Sequence, residues 1–380
     1  MRIAILGAGP AGLYLGYLLK RRRPQADITI VEQNPANATF GFGVVFSDRA
    51  LEFLRADDPD TYDAITPQME SWQDIALVHR NQTVAIDGIG FAAIGRLKLL
   101  QLLQARVRSV GVTPVFERTL ASLDEFADAD LVVGADGVNS LVRRVHAERF
   151  GASVDYLANR FAWFGTSKPF ERLTHTFRHT PIGDFNAHHY RYAPGRSTFI
   201  VEVDASTFAR AGFDRMADAD ARALCEKVFA DALGGHRLIS NASIWRRFPQ
   251  VRNERWHHGN TVLIGDALRT AHFSIGSGTR LAMEDAIALE RALHEHGDDV
   301  AAALPAFEAA RRPIVEKLVA AASASAAWYE NFAEHMALSP VDLAMSYLMR
   351  SGRIDSERLR QLSPGFVERY QSERGKGEGG

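Results

Sequence analysis

An apolar run at residues 3–6 passes straight into Gly7-x-Gly9-x-x-Gly12, the feature of this chain that most constrains its fold. In such a turn Gly7 permits a tight reversal, Gly9 lets the backbone approach a pyrophosphate, and Gly12 lets the next helix pack against the strand. That helix offers unpaired N–H groups and the positive end of its dipole to phosphates. Glu32 closes the second apolar run about twenty residues beyond Gly12, where an acidic side chain accepts ribose hydroxyls. Between them Leu15, Leu18 and Leu19 precede a breaker at residues 21–24, a helical pattern. The N-terminus is therefore expected to be a βαβ unit that binds a dinucleotide. This element alone does not separate FAD from NAD.

Two further strand-end turns narrow the choice. Residues 131–133 lead into Gly134-Ala-Asp136-Gly137, and residues 261–264 lead into Gly265-Asp266. The second of these is followed by Gly276-Ser277-Gly278-Thr279 and a helix with Ala282, Ala286, Leu289 and Leu293 on one face. A carboxylate at a strand end can accept a sugar hydroxyl, and a later helix N-terminus can stabilise negative charge on a reduced flavin. Three such turns in this order point to FAD.

Short runs rich in Val and Ile suit central parallel strands. Residues 161–203 are strand-rich and aromatic, with turns such as Pro194-Gly195, as expected of an antiparallel sheet. Residues 218–233 form a helix ending at Gly234-Gly235. Residues 279–335 are mostly helical, with breaks expected at Pro305 and Pro313, and the polar tail from Gln371 is expected to be disordered. The resulting fold class is α/β: a Rossmann-like FAD-binding domain with a parallel sheet, interleaved with a β-rich substrate domain and a helical C-terminal region. The boundaries fall at 1–75, 96–155 and 256–335 for the FAD-binding domain, 76–95 and 156–255 for the substrate domain, and 336–380 for a helical segment with a flexible tail.

Composition removes other classes. A net charge of −2 over 380 residues argues against a general nucleic-acid binder. The single cysteine, Cys225, excludes an intramolecular disulfide or a redox CxxC pair. The first strand begins at residue 3, leaving no room for a secretory leader, and no apolar run is long enough for a membrane span. A cytoplasmic enzyme is expected. The pairs His188-His189 and His257-His258 lack a third ligand at metal spacing, and no GxSxG occurs, so neither metal nor serine chemistry is indicated.

The three turns together resemble the FAD-dependent single-component aromatic hydroxylases, the family of para-hydroxybenzoate hydroxylase. The likeness runs to about residue 335. It implies that the first motif holds the ADP moiety, that Asp266 binds the ribityl chain, and that Asp136 lies in a motif tied to both FAD and NAD(P)H. It also implies that Arg96, followed by Leu99 and Leu103, leads a helix beside the FAD phosphates. The third motif departs from the family: Arg269 stands for the usual histidine, and His272 and Phe273 for the flanking prolines. With residues 40–47, 164–169, 197–202 and 255–259, and Met283-Glu-Asp285, this departure resembles the aryl-CoA subgroup, salicylyl-CoA 5-hydroxylase and anthraniloyl-CoA monooxygenase. Several of the same residues are shared with a hydroxylase of a tryptophan derivative, which leaves a CoA-free indole or polyketide-like aromatic as the alternative substrate.

The resemblance implies non-covalent FAD, NADH or NADPH binding transiently as reductant, and O2 captured as a C4a-hydroperoxide that hydroxylates an activated ring. The protein contributes position and electrostatics. Alternation puts Asn186, His188 and Tyr190 on one face of a strand, opposite Ala187 and His189. His188, Tyr190, His272 and Phe273 are the pocket candidates. The cofactor candidates are Gly7, Gly9, Gly12, Glu32, Val45, Arg96, Asp136, Asp266, Gly276, Ser277, Gly278 and Thr279. Val45 is included because the glycines around Phe42 would let residues 41–45 lie against the flavin ring. A CoA group would need cations, for which Arg160, Arg172, Arg178, Arg191, Arg246, Arg247, Arg252 and Arg255 are available.

Overall fold

The strand Arg2–Leu6 is apolar and buried at four of its five positions, so it can only be a central strand. In the structure, a computed structural model that describes residues 1–47 and 51–377, it pairs in parallel with Asp27–Val31 on one side and Leu131–Gly134 on the other. Thr261–Leu263 adds in parallel beyond Leu131–Gly134, and His257–His258 closes that edge antiparallel. Helix Pro10–Arg22 packs against this sheet together with Arg96–Ser109 and Gly278–Glu295.

Among the described residues a larger, seven-stranded sheet has the order Leu238–Ile239, Arg160–Thr166, Arg196–Val203, Gly183–Ala193, Leu173–Thr180, Ile75–His79 and Gln82–Ile86. It is antiparallel except where Leu173–Thr180 runs parallel to Ile75–His79. One face packs Phe164, Phe185, Ala187 and Phe199 against the helices of residues 205–233. The other packs Phe177 and Tyr190 against Trp328, Tyr329, Phe332 and the helix Pro340–Met349. A three-stranded sheet of Gly43–Ser47, Phe91–Gly95 and Glu70–Trp72 joins the two parts.

Two expectations are corrected. The helix Val300–Glu330 runs unbroken through Pro305 and Pro313, and the interruption falls earlier, at Gly297 in the left-handed conformation. Each proline forfeits one backbone hydrogen bond, a loss the helix tolerates because Ala303, Leu304, Phe307 and Val315 anchor it in the core around the parallel sheet. The tail is also more ordered than its composition suggests, since Pro364–Gly377 is helical. Asp87 accepts the N–H groups of Gly365 and Phe366 at 3.1 and 2.8 Å, which fixes the start of that helix, and Phe366 is buried. Residues 378–380 lie outside the described residues.

Candidate flavin and substrate site

Because the strands Arg2–Leu6, Leu131–Gly134 and Thr261–Leu263 are adjacent and parallel, their three glycine turns emerge side by side at one sheet edge. The turns are interlocked. Ala135 donates its N–H to Leu6 O at 2.8 Å, and a Cβ on Gly7 would stand 2.2 Å from Ala135 O. A Cβ on Gly12 would stand 2.0 Å from Gly7 O, so both positions demand glycine for the protein's own packing. Gly9 differs: its backbone is extended, with φ −78°, and no described residue lies within 4 Å of where its Cβ would be. Open space in front of Gly9, at the N-terminus of Pro10–Arg22, is what a pyrophosphate requires.

Carboxylates line the same edge. Glu32 accepts the Ala8 N–H at 2.9 Å with one oxygen, while Asn34 holds the other with its N–H and side-chain amide at 2.9 and 2.7 Å. Each oxygen keeps capacity for a further donor. Asp136 accepts Leu141 N–H at 2.7 Å through Oδ2, and its buried Oδ1 has no partner among the described residues. Desolvation pushes its carboxyl up, against the hydrogen bonds of Ser140 and Leu141 that pull it down. Asp266 is solvent-exposed, yet desolvation raises its carboxyl too, against the attraction of Arg96 and Arg269. Protein crowds this side chain while leaving it one open side, as on the floor of a cleft. Arg96, at the first position of Arg96–Ser109, is half-buried, and its guanidinium makes no hydrogen bond to any described residue. These groups fit FAD: an open glycine turn, an unpartnered buried carboxylate oxygen, and a cation and an acid without strong partners facing one cleft.

The third turn is held from behind. Asp285, fully buried, accepts Gly265 N–H at 3.0 Å and pairs with Arg269 at 2.7 Å and Arg311 at 3.0 Å. Arg269 also donates to Gly265 O at 2.9 Å, so the residue that departs from the family pattern is a strut of the turn. Beyond it Ser277 precedes Gly278–Glu295, with Gly278 and Thr279 in the first helical turn, and Gly276 faces Val45, whose Cγ1 would lie 3.2 Å from a Cβ there. The strand carrying Val45 thus lies against the glycine loop.

From that loop the chain delivers His272 and Phe273 onto the large sheet. Phe273 meets Phe161 at 4.9 Å and His188 at 5.3 Å between ring centroids, while His272 stacks on Phe273 at 4.3 Å and packs against Phe248 at 4.8 Å. His188 is buried, and its Nε2 stands 3.7 Å from Oε2 of the buried Glu202, each atom lacking a hydrogen-bond partner among the described residues. Asn159 donates to the other Glu202 oxygen at 2.8 Å. Tyr329 stacks on His188 at 5.3 Å, and its hydroxyl lies 3.2 Å from His175 Nδ1, whose Nε2 meets the Tyr347 hydroxyl at 2.6 Å. Arg350 stacks over Tyr347 at 3.7 Å and donates to Ser274 O at 2.9 Å. Tyr190, grouped with the pocket by alternation, has its hydroxyl committed to Gly43 O at 3.0 Å and so braces the strand that carries Val45. Alternation does not point to Glu202, Tyr329, Tyr347 or Arg350, which lie on other strands or on the C-terminal helices.

Burial keeps His175, His189 and His272 neutral. Desolvation lowers His272 to about 4, with Glu202 opposing and His188 and Arg350 assisting. It lowers His189 to about 3, helped by His188 and Arg178, and takes His175 well below its usual value. Such a histidine gains its proton on unfolding, so its contribution is intact above the unfolded value near 6.5 and is lost as pH falls toward the folded value. Each costs about 1.4 kcal/mol per pH unit in that window. Thermal unfolding should therefore show a Tm that is level from pH 8 to 7 and drops steeply from about 6.5 to 4.5. A level profile across that lower range would remove the buried-neutral assignment.

A dinucleotide cradle across three parallel strand ends, meeting an aromatic wall on a large antiparallel sheet, defines an FAD-dependent monooxygenase. The profile of the family described as FAD binding domain matches residues 101–322. Salicyloyl-CoA 5-hydroxylase of Streptomyces sp is 40% identical over 97% of this chain and 73% of its own length. The 3-hydroxy-4-methyl-anthranilyl-[aryl-carrier protein] 5-monooxygenase of Streptosporangium sibiricum is 38% identical over 87% of this chain and 89% of its own. In structure, 2-methyl-3-hydroxypyridine-5-carboxylic acid oxygenase aligns with a TM-score of 0.72 at 19% identity, covering 92% of this chain and 95% of that one, which shows the fold. The chain belongs to the FAD-dependent aromatic hydroxylases, and it acts on aromatic substrates as a flavin monooxygenase. Among the described residues no helix is long and apolar enough to cross a membrane.

Proposed function

We propose that this protein hydroxylates an activated aromatic ring carried as an aryl-CoA thioester, such as salicyloyl-CoA, using O2 and NADH or NADPH. The observation that carries the reading is that His272 and Phe273, leaving the Gly265-Asp266 turn, meet Phe161 and His188, so cradle and large sheet share one wall. The thioester is supported by the names of two relatives, one acting on a CoA ester and the other on a carrier-protein ester.

In this reading the turn of Gly7, Gly9 and Gly12 holds the pyrophosphate, Glu32 a ribose, and Asp136, Asp266 and Arg96 the rest of the polar chain. The loop and helix start at residues 276–279, with Val45 opposite, would hold the flavin ring. Bound and reduced, FAD supplies activated oxygen to the substrate. His188 accepts the proton of the ring hydroxyl or amino group, and Glu202 behind it stabilises the resulting imidazolium. His272, held neutral, adds no competing charge, and Phe273 and Phe161 exclude water. The sheet segments 76–95 and 156–255 act as the substrate domain, the remainder up to residue 335 as the FAD-binding domain.

The test is substrate-stimulated NAD(P)H oxidation by the holoenzyme with salicyloyl-, anthraniloyl- and benzoyl-CoA beside the free acids and tryptophan. Stimulation by the hydroxyl- or amino-bearing thioesters, above benzoyl-CoA and the acids, is expected. Stimulation by tryptophan or free acids alone would replace the thioester reading with the CoA-free one.

A further inference from the structure

Phe161 and Phe248 face the His272–Phe273 wall, and their chain neighbours Arg160 and Arg247 stand outside it. Arg246 and Phe161 exchange both backbone hydrogen bonds, at 2.9 Å each, which fixes the two segments together. Arg247 donates to Leu157 O and Tyr156 O at 2.7 Å and lies 5.5 Å over the Tyr156 ring, while Arg246 lies 5.4 Å over Phe40. Both rings are unusually open for aromatics, Phe40 at 55% and Tyr156 at 50%.

Among the described residues none of Arg160, Arg246, Arg247 and Arg252 forms an ion pair, and Arg246 makes no hydrogen bond through its side chain. Arg160 is lowered by desolvation and by repulsion from Arg247. Glu330, the carboxylate that attracts it, is already committed to the N–H groups of Ala158 and Asn159 at 2.6 and 2.9 Å. Of the other arginines considered from the sequence, Arg178 pairs with Asp231, Arg191 with Glu70 and Arg172 with Glu171 at 4.0 Å, while Arg255 donates to backbone carbonyls of residues 148 and 149. Arg252 lines a small crevice with Phe248, Gln250 and His272 beside the helix Val300–Glu330.

We propose that Arg160, Arg246 and Arg247, with the open faces of Tyr156 and Phe40, bind the 3′-phospho-ADP portion of a CoA thioester whose acyl ring lies at the His272–Phe273 wall. Guanidinium groups without an ion-pair partner among the described residues match phosphate geometry, and Arg–aromatic pairs offer flat surfaces on which an adenine stacks. The assignment rests on the thioester reading above and adds where the carrier end is held.

The test compares salicyloyl-CoA with salicyloyl-pantetheine, which keeps the thioester and lacks the phosphorylated nucleotide, by equilibrium titration of the holoenzyme. Wild type should bind the CoA ester about tenfold or more tightly, with an advantage that shrinks as salt rises. Arg246→Gln/Arg247→Gln should erase that advantage and leave the pantetheine ester unchanged; Arg160→Gln, scored with FAD content and Tm, gives an independent variant. Equal wild-type affinity for both esters overturns the assignment while leaving the thioester reading intact. No response to either ester overturns both. Loss confined to Arg353→Gln, in the separate cationic group with Arg280 and Arg358, also overturns it. So does a defect seen only with a carrier-protein-bound salicyl ester, because the patch would then read a protein surface.

Discussion

Gly9→Ala is expected to leave folding and Tm of the apoprotein unchanged while weakening FAD at least about tenfold, a loss of about 1.4 kcal/mol or more. The variant isolates the ligand. Its φ of −78° suits alanine, and the new methyl meets no atom of the described residues within 4 Å, so a group brought against that backbone is what collides with it. Gly12→Ala is the contrasting case, because its Cβ would stand 2.0 Å from Gly7 O and must disturb the turn itself. Flavin absorbance per protein after gel filtration, beside thermal unfolding of the apoprotein, reads both. If Gly9→Ala retains FAD with wild-type affinity, the pyrophosphate does not lie where the first turn places it.

Asp285→Asn should cost about 3–5 kcal/mol, because it leaves the buried Arg269 guanidinium on a neutral amide and Arg311 with Glu284 as its remaining carboxylate. Asp285 is fully buried between Arg269 and Arg311 and also holds the Gly265 N–H. The expected result is a fall in Tm of several degrees together with weaker FAD binding, since the Gly265-Asp266 turn loses its strut. Asp57→Asn is the control: its bridge to Arg291 at 2.6 Å is largely exposed and should contribute less than about 1 kcal/mol. Equal effects from the two variants would mean that the buried cluster is not what holds the third turn.

Those two variants also mark what the sequence could convey. The first turn is legible because its constraint is local: a strand, three glycines and an acid at fixed spacing are all in one stretch. The parity of Asn186, His188 and Tyr190 is legible for the same reason, and the structure does set Ala187 and His189 against the opposite core. What Arg269 does is not legible, because its partner Asp285 is reached only after the chain has turned back. Glu202, His175, Tyr329, Tyr347 and Arg350 come from two strands and two C-terminal helices, and no spacing announces their meeting. The prolines of Val300–Glu330 mislead in the opposite sense. Local preference marks a break there, and burial of the helix face prevails.

The central claim, that this flavin cradle serves ring hydroxylation of a thioester at the His188–His272–Phe273 wall, is tested most directly by product analysis. Holoenzyme turned over with salicyloyl-CoA and NAD(P)H under 18O2 should yield a singly hydroxylated aryl-CoA carrying one labelled oxygen, in step with reductant consumed. Reductant consumption that gives hydrogen peroxide and unaltered salicyloyl-CoA would contradict it.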